Sequence, residues 1–234
     1  MLVLSGVAAG MAHAGKAPRW KVAGAFLAET EEENFEGKNT EWLRLEVPIK
    51  TTLLLEFPVG QCKETGKIKG SKMEMPGTKK EVVLSCTGVV VLTPAGCTVN
   101  SVGKAAGTVV TNKLKATLVW KNSTFASTLE LLSAEAAGGS IGEIEVQGKE
   151  CPAEVKGKYP IKEEVLGEVK PVTEEQNAGT VILPEPMYTE WWDNQATRVK
   201  HTITRLTVGG TQSTLRGTFS YELNPQQKFG VYEG

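Results

Sequence analysis

Apolar positions along this chain recur in short runs, often with a period of two, and helical stripes are hard to find. Punctuation by Gly, Pro and Asn separates the runs. The pattern predicts strands over Trp20–Ala28, Trp42–Val47, Thr51–Phe57, Val82–Leu92, Gly107–Thr111, Ala116–Trp120 and Thr128–Leu132. Further strands are predicted over Ser140–Gln147, Ala153–Tyr159, Val165–Val169, Val199–Val208 and Thr214–Leu223. The clearest alternation is the last, where Leu215, Gly217, Phe219, Tyr221 and Leu223 face one way and Thr214, Arg216, Thr218, Ser220 and Glu222 the other. Gly209-Gly210-Thr211-Gln212-Ser213, just before it, suits a hairpin loop.

So many short strands between turns imply an all-β fold: an antiparallel sandwich or barrel, with a C-terminal β-hairpin unit. Residues 171–198 break the rhythm. Pro171, Pro184 and Pro186 interrupt them, and Thr173-Glu174-Glu175-Gln176-Asn177 is loop-like. The expected organisation is therefore a signal peptide over 1–14, a cysteine-bearing β domain over 15–170, a connecting loop over 171–198 and a hairpin over 199–234. Two strands alone are rarely stable, so joining the same sheets is the equal alternative for the hairpin.

The start of the chain suggests a compartment. Residues 1–14 carry no formal charge, are rich in Leu, Val, Ala and Met, and end in Ala12-His13-Ala14, the small-x-small form read by signal peptidase. The basic n-region is missing. Export is expected, with cleavage after Ala14 and no later segment of the roughly 18 apolar residues that a spanning helix needs. Charge adds little: 26 Lys and Arg oppose 27 Asp and Glu, which gives no electrostatic case for binding nucleic acid.

An export-like start changes how Cys62, Cys86, Cys97 and Cys151 are read. An even set without Cys-x-x-Cys spacing points to two structural disulfides. Four cysteines allow three pairings. Cys86 and Cys97 flank the turn-forming Thr93-Pro94-Ala95-Gly96, so Cys86–Cys97 is expected, leaving Cys62–Cys151 as a longer bridge around it. Zinc is disfavoured by the wide spacing, and thiol catalysis by the shortage of bases. No metal or cofactor is expected.

Several segments resemble a group of uncharacterised exported, β-rich actinobacterial proteins. They are Leu84-Ser85-Cys86-Thr87-Gly88, Cys97-Thr98-Val99-Asn100-Ser101 and Gly107-Thr108-Val109-Val110-Thr111-Asn112-Lys113-Leu114. Trp20-Lys21-Val22-Ala23-Gly24, Gln61-Cys62-Lys63 and Phe229-Gly230-Val231-Tyr232 are similar to that group as well. The resemblance implies secretion and a β-rich fold, and it transfers no active site.

Residues suited to catalysis are scarce. Asp193 is the only aspartate, and His201 is the only imidazole after cleavage. A triad of His201, Asp193 and Ser213 or Ser220 is conceivable, but no Gly-x-Ser-x-Gly elbow supports it. Alternation puts His201 beside Val199 and Ile203, which favours a structural histidine. Tyr188, Trp191 and Trp192 form an aromatic cluster suited to stacking on a sugar or a protein, although adjacent rings on a strand face opposite ways. Core packing is the competing role. The expected function is a non-enzymatic structural or binding protein with an extracellular or cell-envelope partner. A carbohydrate- or ligand-binding module using Tyr188, Trp191 and Trp192 is the alternative, and a secreted hydrolase comes third.

Overall fold

The computed structural model describes residues 17–28, 30–69, 78–122, 127–136, 138–184, 186–193, 199–203 and 205–233. The expected signal peptide, residues 1–14, lies outside them. The fold is all-β, as the periodicity implied, and its centre is a closed antiparallel barrel of 8 strands. We label these β1 (Glu32–Asn39), β2 (Cys62–Lys69), β3 (Thr78–Cys86), β4 (Leu114–Trp120), β5 (Thr128–Ala134), β6 (Val165–Lys170), β7 (Ala178–Leu183) and β8 (Thr214–Asn224). Each strand pairs with the next in sequence, and β8 pairs with β1 to close the wall. This is an up-and-down barrel, which leaves its wall strands no edges.

The meander order has a geometric consequence. All connections from an odd to an even strand leave the same rim, and all four are long. At that rim they form a crown. Leu43–Val47, Leu53–Phe57 and Val90–Thr93 extend a sheet from the start of β8. A 5-stranded sheet is built from Thr98–Ser101, Ser140–Gln147, Gly157–Lys162, Thr207–Val208 and Thr211–Gln212. The opposite rim is plugged by Pro18–Val22 paired with Phe229–Glu233. Trp20 is fully buried there, with its ring centroid 6.1 Å from those of Tyr221 and Phe229.

Alternation along the wall sends Phe35, Ile68, Leu118, Val169, Val181, Phe219 and Tyr221 into one continuous core. Glycine makes room for the largest of these rings. A Cβ at Gly179 would lie 2.6 Å from Tyr221 Cζ, and one at Gly37 would lie 3.1 Å from Tyr221 Cβ. Outward positions such as Glu36, Lys38, Lys63, Lys115, Lys170 and Glu222 are exposed. A charged outer wall is the inverse of the apolar belt of a lipid-facing barrel. Among the described residues no helix is long and apolar enough to cross a membrane.

Three expectations are corrected. First, the disulfides join Cys62 to Cys86 and Cys97 to Cys151, instead of Cys86 to Cys97 and Cys62 to Cys151. Cys62 and Cys86 sit directly opposite one another on β2 and β3, with their Cα atoms 3.9 Å apart. The turn at Thr93-Pro94-Ala95-Gly96 does not fold back on Cys86, because Val90–Thr93 leaves to pair with Leu53–Phe57. Cys97 is carried into the crown, where Gly96 meets Gly148 closely enough that a Cβ on Gly148 would strike the Gly96 carbonyl.

Second, residues 171–198 do not separate two units. β7 runs through them as a central wall strand between β6 and β8. The prolines flank it instead of interrupting it. Third, Gly209-Gly210 does turn a hairpin, but a two-residue one between Thr207–Val208 and Thr211–Gln212. β8 pairs elsewhere, with β7, β1 and Leu43–Val47. Smaller differences follow the same logic. Val82–Leu92 splits into β3 and Val90–Thr93, and Ala153–Val155 forms a 3-10 turn ahead of Gly157–Lys162.

Candidate functional site

Closed barrels of this size either hold a small ligand or fill with their own side chains. This one is filled. On the crown side of the core a cavity of ≈ 50 Å³ remains, lined by Leu84, Leu132, Val165, Leu183 and Phe219 together with Glu64 and Glu130. Both glutamates are buried. Burial, reinforced by the charges of Glu130 and Glu64, holds the Tyr221 phenol well above its ordinary value. A cavity this small admits little more than water. Among the described residues, larger recesses lie on the outer surface.

The sequence-predicted aromatics lie on the outer wall over β4, β5 and β6. After β7 the chain runs back along the barrel through Tyr188 and the strand Glu190–Trp192, then returns as Lys200–Thr202. This strap covers Val119, Leu129 and Leu166, with Ile203 buried beside them and Tyr188 and Trp191 packed against them. Trp192 pairs in register with Trp120 and does not join that cluster, as strand alternation requires. All three aromatics are half-buried.

Tyr188 and Trp191 are already engaged by polar and ring contacts. Tyr188 Oη donates to Glu168 Oε2 at 2.8 Å, and Lys121 Nζ donates to the same oxygen at 3.0 Å. The Lys121 ammonium also sits 4.8 Å over the Tyr188 ring. The Tyr188 hydroxyl first, and the Glu168 carboxylate second, raise Lys121 above its ordinary value. Burial alone would raise Glu168, but the hydrogen bonds from Lys121 and Tyr188 outweigh it and leave the carboxyl lowered. Trp191 stacks on His201 with centroids 4.1 Å apart and planes 15° apart.

The Nε2 of His201 lies 3.8 Å from Asp193 Oδ2. Ser213 is buried and donates its hydroxyl to the Thr211 carbonyl at 2.9 Å. Ser220 lies on β8 in register with Thr180 and Lys38. Among the described residues no group of three or more His, Cys, Asp or Glu is arranged to hold a metal ion.

Among the described residues, the most exposed aromatic is one to which the sequence pattern assigns no role. Trp42 is 47 % exposed, whereas Trp20 and Trp120 are buried. It borders a groove of ≈ 450 Å³ at the crown rim, lined also by Glu41, Arg44, Ile182, Arg216 and Thr218. The local sequence explains the placement. Leu43, Leu45 and Val47 point into the core, so Trp42, Arg44 and Glu46 must point out. That alternation was legible and identifies Trp42 as exposed. What it lacked was Arg216, which tertiary pairing sets directly opposite Arg44.

The groove is held by named bonds. Buried Asn39 donates to the carbonyls of Glu41 and Pro58 at 2.8 and 2.9 Å, and its Oδ1 accepts from the Cys62 amide at 2.9 Å. Thr218 Oγ1 donates to Glu41 Oε2 at 3.0 Å, and Arg44 Nε and Nη2 both reach Glu56 Oε1 at 2.8 Å. Gly217, at φ 138°, lets β8 pass so close that a side chain there would strike Leu43. No protein-family model, no curated protein and no solved structure matches this chain.

Proposed function

We propose that the chain is an exported, non-enzymatic protein that binds its partner or ligand through the outer surface of the barrel and crown. One observation carries this reading: among the described residues the barrel interior is packed with the protein's own side chains around a cavity of ≈ 50 Å³, which favours recognition on the outside. The two disulfides support life in an oxidising compartment, as do the signal-like residues 1–14 and the likeness to exported actinobacterial proteins. A carbohydrate platform of Tyr188, Trp191 and Trp192 is less favoured, since Lys121 and Glu168 already engage Tyr188, His201 stacks on Trp191, and Trp192 lies outside their cluster. A hydrolase centred on His201 is less favoured for the same reason.

The test is turnover of chromogenic esters and glycosides by the oxidised chain, run beside a thermal-shift screen of envelope fractions and polysaccharides. Stabilisation without turnover is the expected result. Turnover above buffer that disappears in Glu64→Gln or Glu130→Gln would place chemistry inside the barrel and overturn the reading.

A further inference from the structure

We propose that the Trp42 groove is a carbohydrate site that takes the pyranose rings of an uncharged polysaccharide. This rests on the outward-binding reading above and assigns it a place and a ligand class. A single exposed tryptophan is unremarkable on its own. Here the ring borders a groove of ≈ 450 Å³ whose other polar walls are Glu41, Arg44, Arg216 and Thr218. Sugar recognition asks for that combination. The C–H face of a pyranose lies on an indole, while its paired hydroxyls are met by planar carboxylate and guanidinium groups and by a hydroxyl.

Charge selects among polar ligands. The charged lining is Glu41, Arg44 and Arg216, and Arg44 is paired at 2.8 Å with Glu56 just outside it, so the groove and this partner together carry no net formal charge and give no net pull on an anion or a cation. Shape selects as well: the groove is shallow and presents a flat ring, with no deep apolar pocket of the kind that anchors a protein hot spot. The groove is also prearranged. Asn39 fixes the turn that carries Trp42, Thr218 orients Glu41, and Glu56 orients Arg44. Groups already held in place lose little freedom on binding, which favours even a weak ligand.

Titration of the oxidised chain with cellohexaose and with N-acetylchitohexaose, followed by tryptophan fluorescence and by the indole N–H resonances, tests the assignment. At least one hexasaccharide is expected to bind saturably, with the Trp42 indole resonance shifting. Trp42→Ala should weaken that binding by at least about tenfold, and Arg216→Gln should weaken it by several-fold. Trp191→Phe should leave it unchanged. Trp42 is exposed, so its loss should spare the fold, which near-ultraviolet circular dichroism checks. Wild-type affinity in Trp42→Ala, with loss in Trp191→Phe, would overturn the groove while leaving outward binding in place. Absence of saturation by either sugar up to about 10 mM would overturn the sugar assignment, whatever the thermal-shift screen finds.

Discussion

At the scale of single residues, the informative ones are polar groups held by several bonds at once. Asn39 is 1 % exposed and ties together the end of β1, the turn before Leu43–Val47 and the start of β2. Asn39→Leu would strand two carbonyls and one amide, so a loss of about 2–4 kcal/mol is expected in urea denaturation. A loss below about 0.5 kcal/mol would show that the turn is fixed by something else. Glu168 has a different signature, because its effect depends on pH. Its folded carboxyl titrates below the ordinary 4.5, so its stabilising contribution is full above that value and disappears as pH falls through the folded value. Lys121 is raised above 10.5, so its contribution holds below that value and fades as pH rises through the folded value. Glu168→Gln should therefore lower the melting temperature at pH 7 and flatten its fall on acidification below about pH 4.5. An unchanged acid limb would remove Glu168 from the balance.

At the scale of elements, the disulfides show why neighbours in sequence need not be partners. β2 and β3 are adjacent wall strands, and their register alone brings Cys62 onto Cys86. An unreduced tryptic digest should yield one species in which Thr51–Lys63 and Glu150–Lys156 are both linked to Glu81–Lys104. An internal bridge within Glu81–Lys104 would contradict the fold. The loops closed span 24 and 54 residues. Chain-entropy estimates for them are about 3.4 and about 4.2 kcal/mol. Replacing Cys62 and Cys86 together by Ala should thus cost about 3 kcal/mol, read as a lower urea midpoint with a somewhat steeper slope as the released denatured chain exposes more surface. The elements that escaped the periodicity are equally instructive. β1 reads Glu-Glu-Asn-Phe-Glu-Gly-Lys-Asn, and its inward side carries Phe35, Gly37 and Asn39. Only one of those looks like core, because Gly37 makes space for Tyr221 and Asn39 serves the crown turn. β2 hides its inward Cys62, Glu64 and Ile68 among lysines in the same way.

At the scale of the whole molecule, the meander order assigns the two rims different tasks. One rim gathers every long connection into the crown and carries Trp42. The other is closed by Pro18–Val22 paired with Phe229–Glu233. Trp20 is the centre of that plug, against Tyr221 and Phe229. Trp20→Ala is expected to destabilise the whole protein by about 3–5 kcal/mol, with a single cooperative transition by fluorescence and circular dichroism. A separate early transition would mean that the plug is not part of the barrel's cooperative unit. The prolines of 171–198 suggested a boundary because Pro usually ends a strand, yet here they lie outside β7 on both sides.

The residues by themselves determined the fold class, most of the strands and the faces of those strands that point inward. These follow from local alternation, and alternation is what burial of one strand face imposes. Trp42 could be placed outside on that ground alone. Tertiary structure decided the disulfide pairing, the membership of β7 in the wall and the meeting of Arg44 with Arg216 across two strands distant in sequence. Those depend on which strands become neighbours, and register between distant strands is set by closure of the whole barrel, which no short stretch of chain contains.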